Sequence, residues 1–142
     1  MPLQSLRVLD LTRLLPGPYC SMFFADFGAD VIKVEEPNLG DYMRWREPYI
    51  NDNGAVFHSL NRNKRSVTLN LKSEDGKVIF KKLVETADIV IESFRPGVMK
   101  RLGLNYEVLK DVNPGLIYCA ITGYGQDGPY ADKAGHDLNY LS

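Results

Sequence analysis

The run Gly123-Tyr-Gly-Gln-Asp-Gly-Pro-Tyr-Ala-Asp-Lys-Ala-Gly-His-Asp-Leu-Asn-Tyr140 ends in a His beside an Asp, directly after a glycine. His136 has the type of a general acid or base, because an imidazole with a pKa of about 6.5 exchanges protons near neutrality. Asp137 can act as a carboxylate nucleophile or serve as a plain helix N-cap. The Leu-Asn-Tyr that follows begins a helix, whose first amides point outward and favour negative charge, such as an enolate or a tetrahedral oxyanion. Gly123, Gly125 and Gly128 either leave room for a ligand against backbone amides or form a flexible loop.

Two further clusters carry charge. Arg62 and Lys64, with Arg65 and two asparagines, form Asn61-Arg-Asn-Lys-Arg65. That cluster is a phosphate site or a solvated basic loop. Phe94-Arg95-Pro96-Gly97 leaves a strand end, where an aromatic next to an Arg can sandwich a flat base and hold a phosphate, or simply turn with its Phe buried. His58 and His136 are far apart and no Cys-x-x-Cys occurs, so no zinc site is expected.

The elements that must position these groups alternate. Strands are predicted at Leu6–Leu11, Asp30–Glu35, Ser66–Leu71, Asp88–Glu92 and Leu116–Thr122. Between them lie a helix from Pro18, with Gly17 as N-cap, to about Phe27, a short helix over 55–60, and a helix capped by Ser73. A further short helix starts at Val98, and another covers 106–112. Met22, Phe23 and Phe27 fall on or near one face of the first helix. The pattern predicts an α/β fold: a Rossmann-like, mainly parallel sheet with flanking helices. Ligands of such sheets gather at the carboxyl ends of the strands, here the loops 12–18, 36–54, 93–97 and 123–137. The first strand-to-helix turn carries Gly17 between two prolines, too few glycines for a dinucleotide fingerprint.

The chain has 142 residues, 44% of them hydrophobic and 25% charged, and a net charge of −1, with 17 basic against 18 acidic residues. That balance suits one globular domain and excludes a broad basic nucleic-acid surface. No apolar run is long enough to span a bilayer, and Cys20 and Cys119 read as free thiols. A cytoplasmic protein without nucleic-acid or membrane partners is expected.

Taken in order, several segments resemble the N-terminal part of the family III CoA-transferases, the CaiB/BaiF group. They are Asp10-Leu-Thr-Arg-Leu-Leu-Pro-Gly-Pro18, Ala25-Asp-Phe-Gly-Ala-Asp-Val-Ile-Lys-Val-Glu35, Asn61-Arg-Asn-Lys-Arg-Ser66, Glu92-Ser-Phe-Arg-Pro-Gly97 and Gly123-Tyr-Gly-Gln-Asp-Gly-Pro129. The resemblance implies a sheet that binds coenzyme A, with no permanently bound cofactor and a CoA thioester as substrate. It also implies an interlaced homodimer. Leu14, Leu15 and Pro16 would line the CoA cleft, Arg62 and Lys64 would meet its phosphates, and Phe94 and Arg95 would hold its nucleotide end. In the transferases an Asp at the position of Asp137 passes through an acyl anhydride and then an aspartyl thioester. In the racemases a His precedes that Asp, as His136 does here, and exchanges the α-proton of a 2-methylacyl-CoA. Gly-His-Asp-Leu-Asn-Tyr points to the racemase branch, with CoA transfer through Asp137, or CoA binding without catalysis, as alternatives. Glu36 departs from relatives that carry an Arg there. Family chains are also more than twice as long, so residues 1–142 are expected to be the CoA-binding portion of a longer chain, inactive alone.

Overall fold

A computed structural model of the chain describes residues 1–141, Asp137 by its backbone alone. Five strands form one parallel sheet: β1 (Arg7–Asp10), β2 (Asp30–Glu35), β5 (Arg65–Thr68), β6 (Ile89–Glu92) and β7 (Ile117–Ala120). Their order is β5–β2–β1–β6–β7. The chain starts in the middle at β1, steps outward through β2 to β5, then returns to the other side of β1 with β6 and β7. The direction of travel therefore reverses between β1 and β6, where the loops leaving the two strands diverge and open a crevice.

Composition explains the centre. Val8, Leu9, Val31, Val90 and Ile91 are β-branched or aliphatic and almost wholly buried, as expected of strands covered on both faces. One face packs against α1 (Pro16–Asp26) through Val8, Ala25, Val31 and Ile91. The other packs Leu9, Ile32 and Val90 against Phe80 and Val84 of α3 (Glu74–Val84), Met99 of α4 (Val98–Leu102) and Leu109 of α5 (Tyr106–Val112). Burying a side chain such as Phe80 contributes about 1.5–3 kcal/mol. Ser73 caps α3 by accepting the Gly76 N–H at 3.2 Å, and Asn113 Nδ2 donates to the Val84 and Ala87 carbonyls beyond its other end.

The mainly parallel α/β sheet matches the expectation from sequence, and local boundaries differ in physical detail. The helix α1 starts at Pro16 with Leu15 as its cap residue, so Gly17 lies inside the first turn. A Cβ there would sit 2.2 Å from Thr12 Cβ; only glycine lets the helix lie this close to the exit of β1. The buried face of α1 carries Ser21, Met22 and Ala25, while Phe23 and Phe27 point outward. A small antiparallel hairpin, β3 (Tyr49–Ile50) and β4 (Asn53–Gly54), precedes α2 (Ala55–Leu60). A last short helix, α6 (Asp137–Tyr140), follows the glycine-rich loop. Cys20 and Cys119 are free and partly buried. No helix among the described residues is long and apolar enough to cross a membrane.

Candidate functional site

The reversal point of the sheet holds a crevice of about 860 Å³. Leu14 and Pro16 line it from the β1 exit, Phe94 and Arg95 from the β6 exit, and Gly135 and His136 from the glycine-rich loop. Five of the nine residues singled out from sequence thus meet at one place. Leu15 is exposed beside them as the cap of α1. The side chain of Asp137 lies outside the described residues, but its backbone opens α6 immediately after His136. Arg13 and Lys133 add positive charge to that of Arg95, and no carboxylate is among the described side chains of the lining. The cavity therefore favours an anion.

Each wall is fixed by groups that the sequence places locally. Asp10 ends β1 fully buried and accepts from the Thr12 N–H at 2.9 Å, the Thr12 hydroxyl, and Ser21 Oγ at 2.5 Å. Burial pushes its carboxyl up, but Lys33, Lys64 and the hydroxyl donors outweigh that and hold its pKa below the usual value. Lys33, a lone cation in an apolar strand, donates to the Thr12 carbonyl at 2.9 Å and pairs with Asp41 at 2.9 Å. The next residue along the turn, Arg13, lays its guanidinium between the Tyr42 ring (5.3 Å) and the Phe94 ring (5.5 Å) and donates to Tyr42 Oη at 3.1 Å.

The β6 exit is held by Glu92. Its Oε2 accepts the Phe94 N–H at 2.7 Å and its Oε1 accepts from the Tyr118 hydroxyl at 3.3 Å. Burial pushes the Glu92 carboxyl up against those hydrogen bonds, and burial together with the nearby carboxylate raises Tyr118. The third wall is keyed by Tyr140. A Cβ on Gly123 would lie 2.4 Å from Tyr140 Oη, and one on Gly135 would lie 2.2 Å from it. The two glycines form the slot that receives the phenol. His136 N–H donates to Asn139 Oδ1 at 2.9 Å while Asn139 N–H donates to the His136 carbonyl at 2.7 Å, a reciprocal cap that starts α6. The Lys133 ammonium sits 4.0 Å from the Tyr130 ring centre.

Arg62 and Lys64 line no part of this crevice. Lys64 carries its ammonium under α1, where it meets Asp10 Oδ2 (3.1 Å), the Pro18 carbonyl (2.9 Å), Ser21 Oγ (2.8 Å) and Asn61 Oδ1 (2.9 Å). Its three N–H donors are consumed inside the protein, so no ammonium faces solvent for a phosphate. Arg62 forks onto Asp26 at the end of α1. Glu36 also turns inward on its own loop, accepting the Leu39 N–H at 2.5 Å and the Gly40 N–H at 3.2 Å.

A second hollow of about 640 Å³ lies behind the Arg13–Tyr42–Phe94 stack, which serves as the shared wall. Arg13 and Lys133 were not singled out from sequence as site residues. The available signal for Arg13 was a cation directly beyond the first strand, at the end where sheets of this kind bind ligands. For the Lys33–Asp41 pair it was a charged residue within Val-Ile-Lys-Val, which must find a buried partner.

The family model for CoA-transferase family III matches residues 3–142. The succinate–glutarate CoA-transferase of Agrobacterium fabrum is 48% identical over 143 residues, covering 96% of this chain and 36% of that protein. The acetyl-CoA:oxalate CoA-transferase of Acetobacter aceti is 46% identical, covering 96% of this chain and 35% of that protein. The crystal structure of a CaiB/BaiF family protein from Brucella suis superposes with a TM-score of 0.92 at 46% identity, covering 97% of this chain and 38% of that one. The chain spans about a third of the length of the curated relatives it matches. With the sheet order, the anion-favouring crevice at its reversal and a family match that runs through all five sequence segments, the chain belongs to CoA-transferase family III.

Proposed function

We propose that this protein takes part in moving coenzyme A from an acyl-CoA to a free carboxylic acid. The observation that carries the reading is the crevice itself, with Arg13, Arg95 and Lys133 on its walls and no described carboxylate, at the ligand end of a family III sheet. CoA is a polyanion with a flat base, and both donor and acceptor acids are anionic, so every participant suits that field. The relatives are named for CoA transfer, which supports transfer over the α-proton exchange expected from His136.

Asp137 is the nucleophile of this proposal. Its carboxylate attacks the thioester carbonyl and expels CoA thiolate, leaving an acyl-aspartyl anhydride. The thiolate attacks the aspartyl carbonyl, releasing the first carboxylate and leaving an aspartyl thioester. The acceptor carboxylate then attacks that thioester, and the freed thiolate takes the acceptor's acyl group, which restores Asp137. Leu14, Leu15 and Pro16 line the pantetheine path, and Phe94 and Arg95 hold the nucleotide end. Homodimer assembly belongs to this proposal as well.

The test is incubation of the full-length protein that carries this chain with succinyl-CoA and glutarate, following glutaryl-CoA by mass spectrometry. A parallel sample holds a 2-methylacyl-CoA in D2O without acceptor. Acid-dependent glutaryl-CoA that vanishes in Asp137→Ala is expected. α-Deuterium without acceptor-dependent transfer overturns the reading in favour of racemisation.

A further inference from the structure

Leu14 stands at the mouth of the crevice in the left-handed backbone region, with φ 67°, a conformation that a leucine rarely adopts unless its surroundings impose it. Two buried charges impose it here. Lys33 and Asp41 have side chains 2% and 0% exposed and approach to 2.9 Å. The Lys33 ammonium also donates to the Thr12 carbonyl at 2.9 Å. Asp41 Oδ1 accepts the Leu14 N–H at 3.1 Å and the Met43 N–H at 3.0 Å. One ion pair thus grips both ends of the three-residue turn 12–14, the carbonyl through its cation and the amide through its anion. Asp41 Oδ2 accepts no hydrogen bond of good geometry and is held by the Lys33 charge alone. Asp41 is itself anchored, since its N–H donates to Glu35 Oε2 at 3.0 Å. The same grip sets Tyr42, one residue on, against Arg13, one residue before Leu14.

We infer that Lys33 and Asp41 are positioning residues for the CoA thioester: their ion pair holds the 12–14 turn in its left-handed form, so that Leu14 and the Arg13–Tyr42 stack present one preformed wall to the ligand. The assignment rests on the CoA reading above. Without the pair, Leu14 relaxes toward ordinary backbone and only a fraction of molecules keeps the binding-competent turn, which lowers apparent affinity by that fraction.

The experiment measures CoA binding by titration calorimetry on wild type and on Lys33→Met/Asp41→Leu, since replacing a whole buried ion pair with apolar groups often leaves a fold intact. The expected result is an affinity weaker by about tenfold with an unchanged circular dichroism spectrum. The amide-to-Hα scalar coupling of Leu14, which reports its φ, is expected to leave the left-handed value in the double variant; a merely structural role that leaves the turn in place predicts no such change. Wild-type affinity in the folded double variant overturns the inference alone. A wild-type protein that does not bind CoA overturns the CoA reading and the inference with it. Should the double variant fail to fold, Asp41→Asn decides, because it keeps the Oδ1 acceptor and removes only the charge: weaker binding supports the inference and unchanged binding overturns it.

Discussion

Lys64→Met is expected to damage the fold far more than it damages any encounter with ligand. The ammonium is 1% exposed and the Asp10 carboxylate 0% exposed. Deleting the cation leaves Asp10 buried with the Thr12 N–H, two hydroxyls and the more distant Lys33 charge. It also leaves the Pro18 carbonyl and Asn61 Oδ1 without this donor. Removing one partner of a buried pair costs about 3–5 kcal/mol. The residual Lys33 field places this case near the lower end, about 3 kcal/mol. For a chain of this size that is a drop in melting temperature of about 10 °C, or a fall of roughly 1–2 M in the urea midpoint. Arg62→Ala is the control: its pair with Asp26 is 49% and 28% exposed and screened by solvent, so its loss is expected to leave the midpoint nearly unchanged. The assay is urea unfolding followed by circular dichroism, with CoA affinity measured on the same samples. A Lys64→Met protein with an unchanged midpoint and a lost affinity for CoA would refute the reasoning, since it would mean that the ammonium serves a ligand rather than Asp10.

Gly123→Ala drives a methyl to within 2.4 Å of Tyr140 Oη, so it is expected to displace α6 and lower CoA-transfer activity. Tyr140→Phe removes that oxygen, and a double-mutant cycle should return a coupling of at least about 0.5 kcal/mol; strict additivity would deny the slot. Acid should loosen the region around Glu35. Burial raises its carboxyl, yet hydrogen bonds from Arg44, Ser66 and the Asp41 amide outweigh it and bring the pKa from 4.5 to about 2. A pKa depressed in the folded state contributes stability above pH 4.5 that drains away as pH falls toward 2, so the urea midpoint should decline more steeply with acid in wild type than in Glu35→Gln.

The sheet was legible because its strands are short apolar runs between turn residues. The five core strands lie within one residue of their predicted starts and within three of their predicted finishes. Pro16 and Pro18 each suit a first helical turn, so spacing alone could not choose between them; the contact of Gly17 with Thr12, a tertiary fact, decides. The outward turn of Phe23 and Phe27 was hidden for a similar reason: aromatic type suggests burial, but the face of α1 toward the sheet carries Ser21, Met22 and Ala25, with Phe24 rather than Phe23 packed at its side. The burial of the Lys64 ammonium was hidden because its acceptors on Asp10, Pro18 and Ser21 lie more than 40 residues earlier in the chain. The hairpin β3–β4 left little trace, since two paired residues per strand carry no periodicity. His136 drew notice by its residue type and by the family resemblance, and the fold brings it to the crevice, whereas the Lys33–Asp41 grip joins two residues that no local pattern links.

The place of β1 in the sheet has a consequence for synthesis on the ribosome. One neighbour, β2, follows within 23 residues, but the other is distant, with Arg7 and Asp88 joined across a separation of 81. Translation therefore delivers the strand that carries Val8 and Leu9 long before its second partner exists. During that interval the nascent chain holds an open strand edge whose side chains end up wholly buried. A pause in elongation before Ile89–Glu92 has left the ribosome would lengthen this exposed interval, and a pause after that point would not.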